Sequence, residues 1–118
     1  MKNFTLNQKK SFLYDFCVKN KISRNPSNAK FYLKDLFRDI DLNKKDILDI
    51  GGGSGYVSFY TALKGANNVI CVEPGEEGSD IQKNNSFNEL YKELNVDNVQ
   101  LINNKIENIV FQDKFDII

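Results

Sequence analysis

Apolar and polar positions alternate along the chain with two different periods. Thr5-Leu6-Asn7-Gln8 reads as a capping box, with Thr5 as N-cap and Gln8 three residues on. The spacing predicts a helix to about Lys19, with Leu6, Leu13, Phe16 and Cys17 facing inward. Asn25-Pro26 opens a second helix, in which Ala29, Leu33, Leu36, Phe37 and Ile40 recur at helical spacing. From residue 46 the pattern changes to short apolar runs bounded by turns. Ile47-Leu48-Asp49-Ile50 reads as a buried strand that leads into glycines and a helix over 56–64, closed by Gly65. Val69 to Val72 is a second strand ending at Glu73-Pro74, and Gly75 to Asp80 a polar loop. Ile81, Phe87, Leu90, Tyr91 and Leu94 mark a helix, and Val99 to Ile102 a third strand. Phe115-Asp116-Ile117-Ile118 begins a fourth.

Strands alternating with helices argue an α/β fold: a Rossmann-like parallel sheet with flanking helices and right-handed crossovers, preceded by two N-terminal helices. The division expected is a helical lid or cap over 1–45 and a ligand-binding domain over 46–118. A chain that stops inside a buried strand leaves an open sheet edge. The expectation is therefore a fragment truncated after its fourth strand, or an edge covered by a second chain or another copy.

Composition narrows the chemistry. The 118 residues are 41% hydrophobic and 27% charged, in the range of a soluble globular domain. No run is long enough for a membrane span and no secretory signal is visible, so a cytoplasmic location is expected. The chain has no histidine, which removes His-dependent triads and the usual zinc sets, and no metal site is expected. Cys17 and Cys71 read as buried free thiols.

The net charge of zero hides an asymmetry: residues 1–45 carry 11 Lys or Arg against 4 acids, and residues 46–118 carry 5 against 12. The basic front either packs on the acidic body or attracts an anion such as RNA, a phosphorylated metabolite or a lipid headgroup.

The candidate chemistry lies in Asp49-Ile50-Gly51-Gly52-Gly53-Ser54-Gly55, a glycine-rich turn from strand to helix. Such a turn presents bare backbone and helix N-terminal amides to a ligand. A P-loop is excluded because no Gly-Lys-Ser or Gly-Lys-Thr follows. The dinucleotide pattern fails at its third small residue in both registers, at Tyr56 and at Ser58.

What fits is an acidic residue followed by Gly-x-Gly-x-Gly, and here the chain resembles the class I S-adenosylmethionine-dependent methyltransferases. The likeness runs in order through Ile47 to Gly55, Glu73 at the end of the next strand, Leu101 to Glu107, and the Phe115-Asp116-Ile117-Ile118 start. It implies S-adenosyl-L-methionine as cofactor. Gly51, Gly53 and Gly55 would bed its methionine portion, Asp49 would orient the amino group, and Glu73 would accept both ribose hydroxyls. Lys105 stands where the family often has an adenine-binding aspartate. Asn104 and the Ile106 amide take that role instead. The catalytic residues are not assigned. The acidic body and the absence of an RNA-binding motif favour a small-molecule acceptor over nucleic acid, and the fragment alone should turn over weakly. Three alternatives stay open: a nicotinamide-dinucleotide oxidoreductase fragment, a module that binds cofactor or partner without catalysis, and action on nucleic acid through the basic front segment.

Overall fold

The computed structural model describes residues 4–74, 78–111 and 114–118, with backbone only for 78–84 and 108. Helix α1 (Leu6–Lys19) starts at the capping box, in which the Gln8 amide donates to Thr5 Oγ1 at 3.2 Å and the Thr5 amide to Gln8 Oε1 at 2.8 Å. Leu13, Phe16 and Cys17 are buried, whereas Leu6, expected inside, is half exposed. Helix α2 (Pro26–Leu36) is capped by Asn25 Oδ1, which accepts from the Asn28 amide at 2.9 Å. It ends before the predicted Ile40. The chain tightens there through the i to i−3 bonds of Arg38 and Ile40, with Asp39 left-handed between them at φ 64°.

Strand β1 (Asp46–Ile50), helix α3 (Tyr56–Leu63), strand β2 (Asn68–Val72), helix α4 (Gly78–Leu94) and strand β3 (Val99–Ile102) follow. Gly65 at φ 97° closes α3 and accepts from the Lys44 amide at 2.8 Å through its carbonyl. Helix α4 begins three residues before the predicted Ile81, whose side chain lies outside the described residues, as do residues 75–77 of the predicted loop. Phe87, Leu90 and Leu94 are buried as predicted, but Tyr91 is half exposed.

The sheet is parallel in the order β1-β2-β3, with Asp49 beside Cys71 and Cys71 beside Leu101. One face packs Ile47, Val69, Cys71 and Val99 under residues of α1, α2, α3 and α4, including Leu13, Leu33, Phe59 and Leu90. The other packs Leu48, Ile70 and Val72 against Ile102, Ile106, Ile109, Phe111 and Phe115. Alternation along each strand sends successive residues to opposite faces.

The predicted fourth strand is reduced to one parallel bridge, Ile47 with Ile117. The Leu48 amide donates to the Ile117 carbonyl at 2.9 Å. A continuing ladder would next join the Asp46 amide to the Phe115 carbonyl, but Asp116 Oδ2 takes that amide at 2.8 Å. The chain thus steps outward from β1 to β3 and then returns to the opposite side of β1. Such a reversal opens a crevice at the carboxyl end of β1.

Candidate functional site

The crevice is built by the glycine turn. Gly51, Gly53 and Gly55 all have positive φ, at 69°, 61° and 89°. They fold the loop back over the end of β2, where the Gly51 and Gly52 amides donate to the Val72 carbonyl at 2.8 and 3.3 Å. The Gly53 amide donates to Glu73 Oε2 at 3.0 Å, and the Gly55 amide to the Gly52 carbonyl at 3.0 Å. The expectation that these four amides face a ligand therefore does not hold here, because the fold itself uses them.

The glycines also differ in what they would meet. A Cβ on Gly51 would meet nothing within 4 Å, so this residue lies open to the crevice. A Cβ on Gly55 would lie 2.5 Å from the Phe87 ring, so helix packing accounts for that glycine without any ligand. A Cβ on Gly52 would collide with Cys71 Sγ and stand 2.8 Å from Asp49 Oδ2.

Two carboxylates frame the turn. Asp49 Oδ2 accepts from Ser58 Oγ at 2.6 Å, so the first turn of α3 fixes the acid that ends β1. Burial pushes the Asp49 carboxyl above its usual range; the Ser58 bond lowers it in part, and the Glu73 charge raises it again. Glu73 is only 4% exposed, and its amide is tied to the Ile102 carbonyl at 3.0 Å. Both acids sit at the carboxyl ends of neighbouring strands on the face that carries Cys71, whose thiol burial pushes up to about 12.

The third part of the predicted site is built differently. Asn104 and Ile106 follow β3, next to the end of β2. Asn104 Oδ1 accepts from the Lys105 amide at 2.8 Å. Ile106 begins a 3-10 turn and turns its side chain into the second apolar cluster.

Sequence reasoning missed three residues. Ser58 holds Asp49, Cys71 blocks any side chain at Gly52, and Phe87 blocks one at Gly55. A serine inside the apolar run Tyr56 to Leu63 was the one visible signal, because a buried hydroxyl requires a partner. Among the described residues no cluster of acidic and thiol groups could hold a metal ion, and no helix is long and apolar enough to cross a membrane.

A parallel α/β sheet with two acids flanking a glycine turn at its reversal point is a Rossmann-like arrangement, a fold class whose ligands bind at the carboxyl ends of the strands. Protein-family models gave no match. A relative in Arabidopsis thaliana, named "Probable histone-arginine methyltransferase 1.4", is 33% identical over 78 residues, which is 66% of this chain and 14% of the relative. Protein arginine N-methyltransferase 1 of Chlamydomonas reinhardtii is 30% identical over 108 residues, 87% of this chain and 29% of the relative. Among solved structures, Arabidopsis thaliana protein arginine methyltransferase 10 superposes with a TM-score of 0.63 at 26% identity, covering 92% of this chain and 29% of that one. A Pyrococcus horikoshii protein described as a "putative RNA methyltransferase" gives 0.56 at 26% identity, covering 80% and 43%.

The chain belongs to the class I S-adenosylmethionine-dependent methyltransferases. It spans 14% to 29% of the length of these two curated relatives. The expected small-molecule acceptor is overturned, since the relatives act by name on histone or protein arginine and the Pyrococcus neighbour on RNA. The inference failed because net charge does not report acceptor size. An acidic body disfavours phosphates but attracts a cationic peptide as readily as a cationic metabolite.

Proposed function

We propose that this chain forms the cofactor-binding part of an S-adenosylmethionine-dependent methyltransferase that acts on arginine in protein. The observation that carries the reading is the pair Asp49 and Glu73, fixed through Ser58 and Gly53 on either side of the open Gly51. The residues suit the cofactor. Carboxylates accept from an amino group and from hydroxyls, and Gly51 leaves space where a side chain would intrude. Asp49 orients the amino group, Glu73 receives the ribose hydroxyls, and Gly51, Gly53 and Gly55 form the bed below. Asn104 and the Ile106 amide serve the adenine.

When bound, S-adenosylmethionine supplies a sulfonium methyl for in-line displacement. The contribution of these residues is position: a fixed acceptor set lowers the barrier by orientation and exclusion of water. The arginine acceptor is supported by the names of both relatives and of one structural neighbour, and the acidic balance of residues 46–118 suits a guanidinium. RNA is the second reading, favoured by the Pyrococcus neighbour.

Calorimetric titration with S-adenosylhomocysteine, with nicotinamide dinucleotides as controls, tests the cofactor. Selective binding of the homocysteine compound is the expected result. Dinucleotide binding alone would establish the oxidoreductase alternative. Binding without methyl transfer to arginine peptides or RNA in the full-length protein would favour the non-catalytic module. Labelled methyl appearing on RNA and not on peptide would replace the arginine reading.

A further inference from the structure

A second cleft, of about 540 Å³, opens where α1, α2 and the C-terminal end of α3 meet. Lys10, Lys30, Lys34 and Lys64 line it together with Asn7, Ser11, Tyr14 and Tyr60, and no carboxylate is among the lining residues. None of the four lysines has an ion-pair partner among the described residues. Like charges gather here with no counter-charge among the lining residues. Burial lowers the Lys10 ammonium below its ordinary value, and the charges of Lys64 and Lys30 lower it further.

Lys34, Tyr60 and Lys64 are shared with an adjoining cleft of about 700 Å³ that also contains Phe31 and Arg38. Phe31 is 71% exposed, an aromatic face presented to solvent beside the cationic groove. Asp35, Asp39 and Asp41 gather in that adjoining cleft, with Asp35 paired to Arg38 at 3.5 Å, so the purely cationic surface ends at Lys34 and Lys64. Lys64 lies nine residues along from Gly55, about 13 Å by helical rise, at the far end of α3 from the glycine turn.

We propose that the cleft of Lys10, Lys30, Lys34 and Lys64 binds the phosphate backbone of a single-stranded nucleic acid, with Phe31 as a stacking platform for a base. Four ammonium groups, from α1, α2 and the C-cap of α3, exceed what one phosphate neutralises, which suits the repeated charge of a strand. The exposed ring of Phe31, in the adjoining cleft next to Lys34, supplies the second component of single-strand binding, a sequence-tolerant face for bases. This site is separate from the cofactor crevice, and the inference stands whether or not the methyltransferase reading does.

The test is fluorescence anisotropy of the full chain with a labelled single-stranded RNA about 12 nucleotides long, within the span of one binding module. Binding should weaken with salt, with a slope of log affinity on log salt of about −3 for four phosphate contacts. The double variant Lys30→Gln with Lys34→Gln should lose about tenfold or more in affinity and flatten the slope by about 1.4. Both lysines are exposed, so folding should survive, and unchanged melting would verify it. Phe31→Ala should weaken binding with no change of slope. Failure to bind RNA, equal affinity and slope in the double variant, or binding of tripolyphosphate without RNA would each overturn the proposal. S-adenosylhomocysteine binding by the same variants reads the other site independently.

Discussion

The end of β1 and β2 and the end of β3 would hold different parts of one ligand, yet they are built in opposite ways. At the first, Asp49, Ser58, Gly53 and Glu73 are joined by bonds of 2.6 and 3.0 Å, and both acids are drawn toward the interior. At the second, the Asn104 oxygen is held by the amide of the adjacent residue, and Lys105 is exposed. The end of β1 and β2, the proposed amino-acid and ribose side, is thus organised by the fold itself. At the proposed adenine side, Asn104 Oδ1 is engaged by the neighbouring backbone amide and Ile106 packs on the second apolar cluster. Substitutions that disrupt the packing at the first end should therefore disturb the fold as well as binding, whereas those at the second should act mainly on binding.

The largest effect is expected at Gly52. An alanine there collides with Cys71 Sγ and crowds Asp49, and neither strand residue can move without disturbing the sheet. Gly52→Ala should cost about 1–3 kcal/mol in chemical denaturation. Gly51→Ala has open space and bears only the cost of a left-handed residue, about 1–2 kcal/mol. Cys71→Ala should partly rescue Gly52→Ala; strict additivity of the two changes would contradict the packing argument.

Next in size is Glu73→Gln. The amide still accepts from Gly53, so the fold should largely remain, but the charge that strengthens bonds to ribose is lost. A charged hydrogen bond contributes about 1.5–3 kcal/mol, which predicts a loss of roughly tenfold to a hundredfold in S-adenosylhomocysteine affinity. Glu107→Gln, at an exposed residue, should leave affinity unchanged. Equal effects at the two acids would remove the ribose assignment.

The contrast also explains what the sequence reveals. Helix caps and the glycine turn are local devices, so Thr5-Gln8, Asn25-Pro26 and Gly51 to Gly55 were legible from short windows. The order of strands and helices followed from periodicity. Ser58 with Asp49, Cys71 with Gly52 and Phe87 with Gly55 are contacts across elements, which appear only once the parallel register exists. The fourth strand was over-read because its composition is that of a strand, while a single carboxylate, Asp116, replaces a ladder carbonyl. Acceptor class was not legible, since charge constrains sign but not size.

A smaller effect, with a pH signature, is expected at Asp49. Its folded carboxyl titrates above the ordinary range, mainly through burial. Between the unfolded and folded values the native state holds a proton that the unfolded chain has lost. The stability associated with that proton falls as pH rises through the window. Asp49→Asn removes the titration and keeps an acceptor for Ser58. The variant should melt a few degrees higher than the parent at pH 7 and match it near pH 4, while binding S-adenosylhomocysteine more weakly. A melting difference independent of pH would mean that packing, and not charge, is responsible.

The smallest effect on the fold is expected at Asn104, and it tests the less organised end most directly. Its oxygen accepts from the Lys105 amide, an exposed bond whose loss should cost about 0.5–1 kcal/mol at most. If that oxygen also accepts from the adenine amino group, the protein should prefer S-adenosylhomocysteine over its inosine counterpart, in which a carbonyl replaces the amino group. Two acceptors then face each other, and binding loses both the bond and the desolvation of each oxygen. Asn104→Ala should weaken the adenine compound by about threefold to tenfold and leave the inosine compound nearly unchanged. The preference between them should collapse. A preference that survives in the variant would place the adenine amino group elsewhere, with the backbone beyond β3 the remaining source of acceptors.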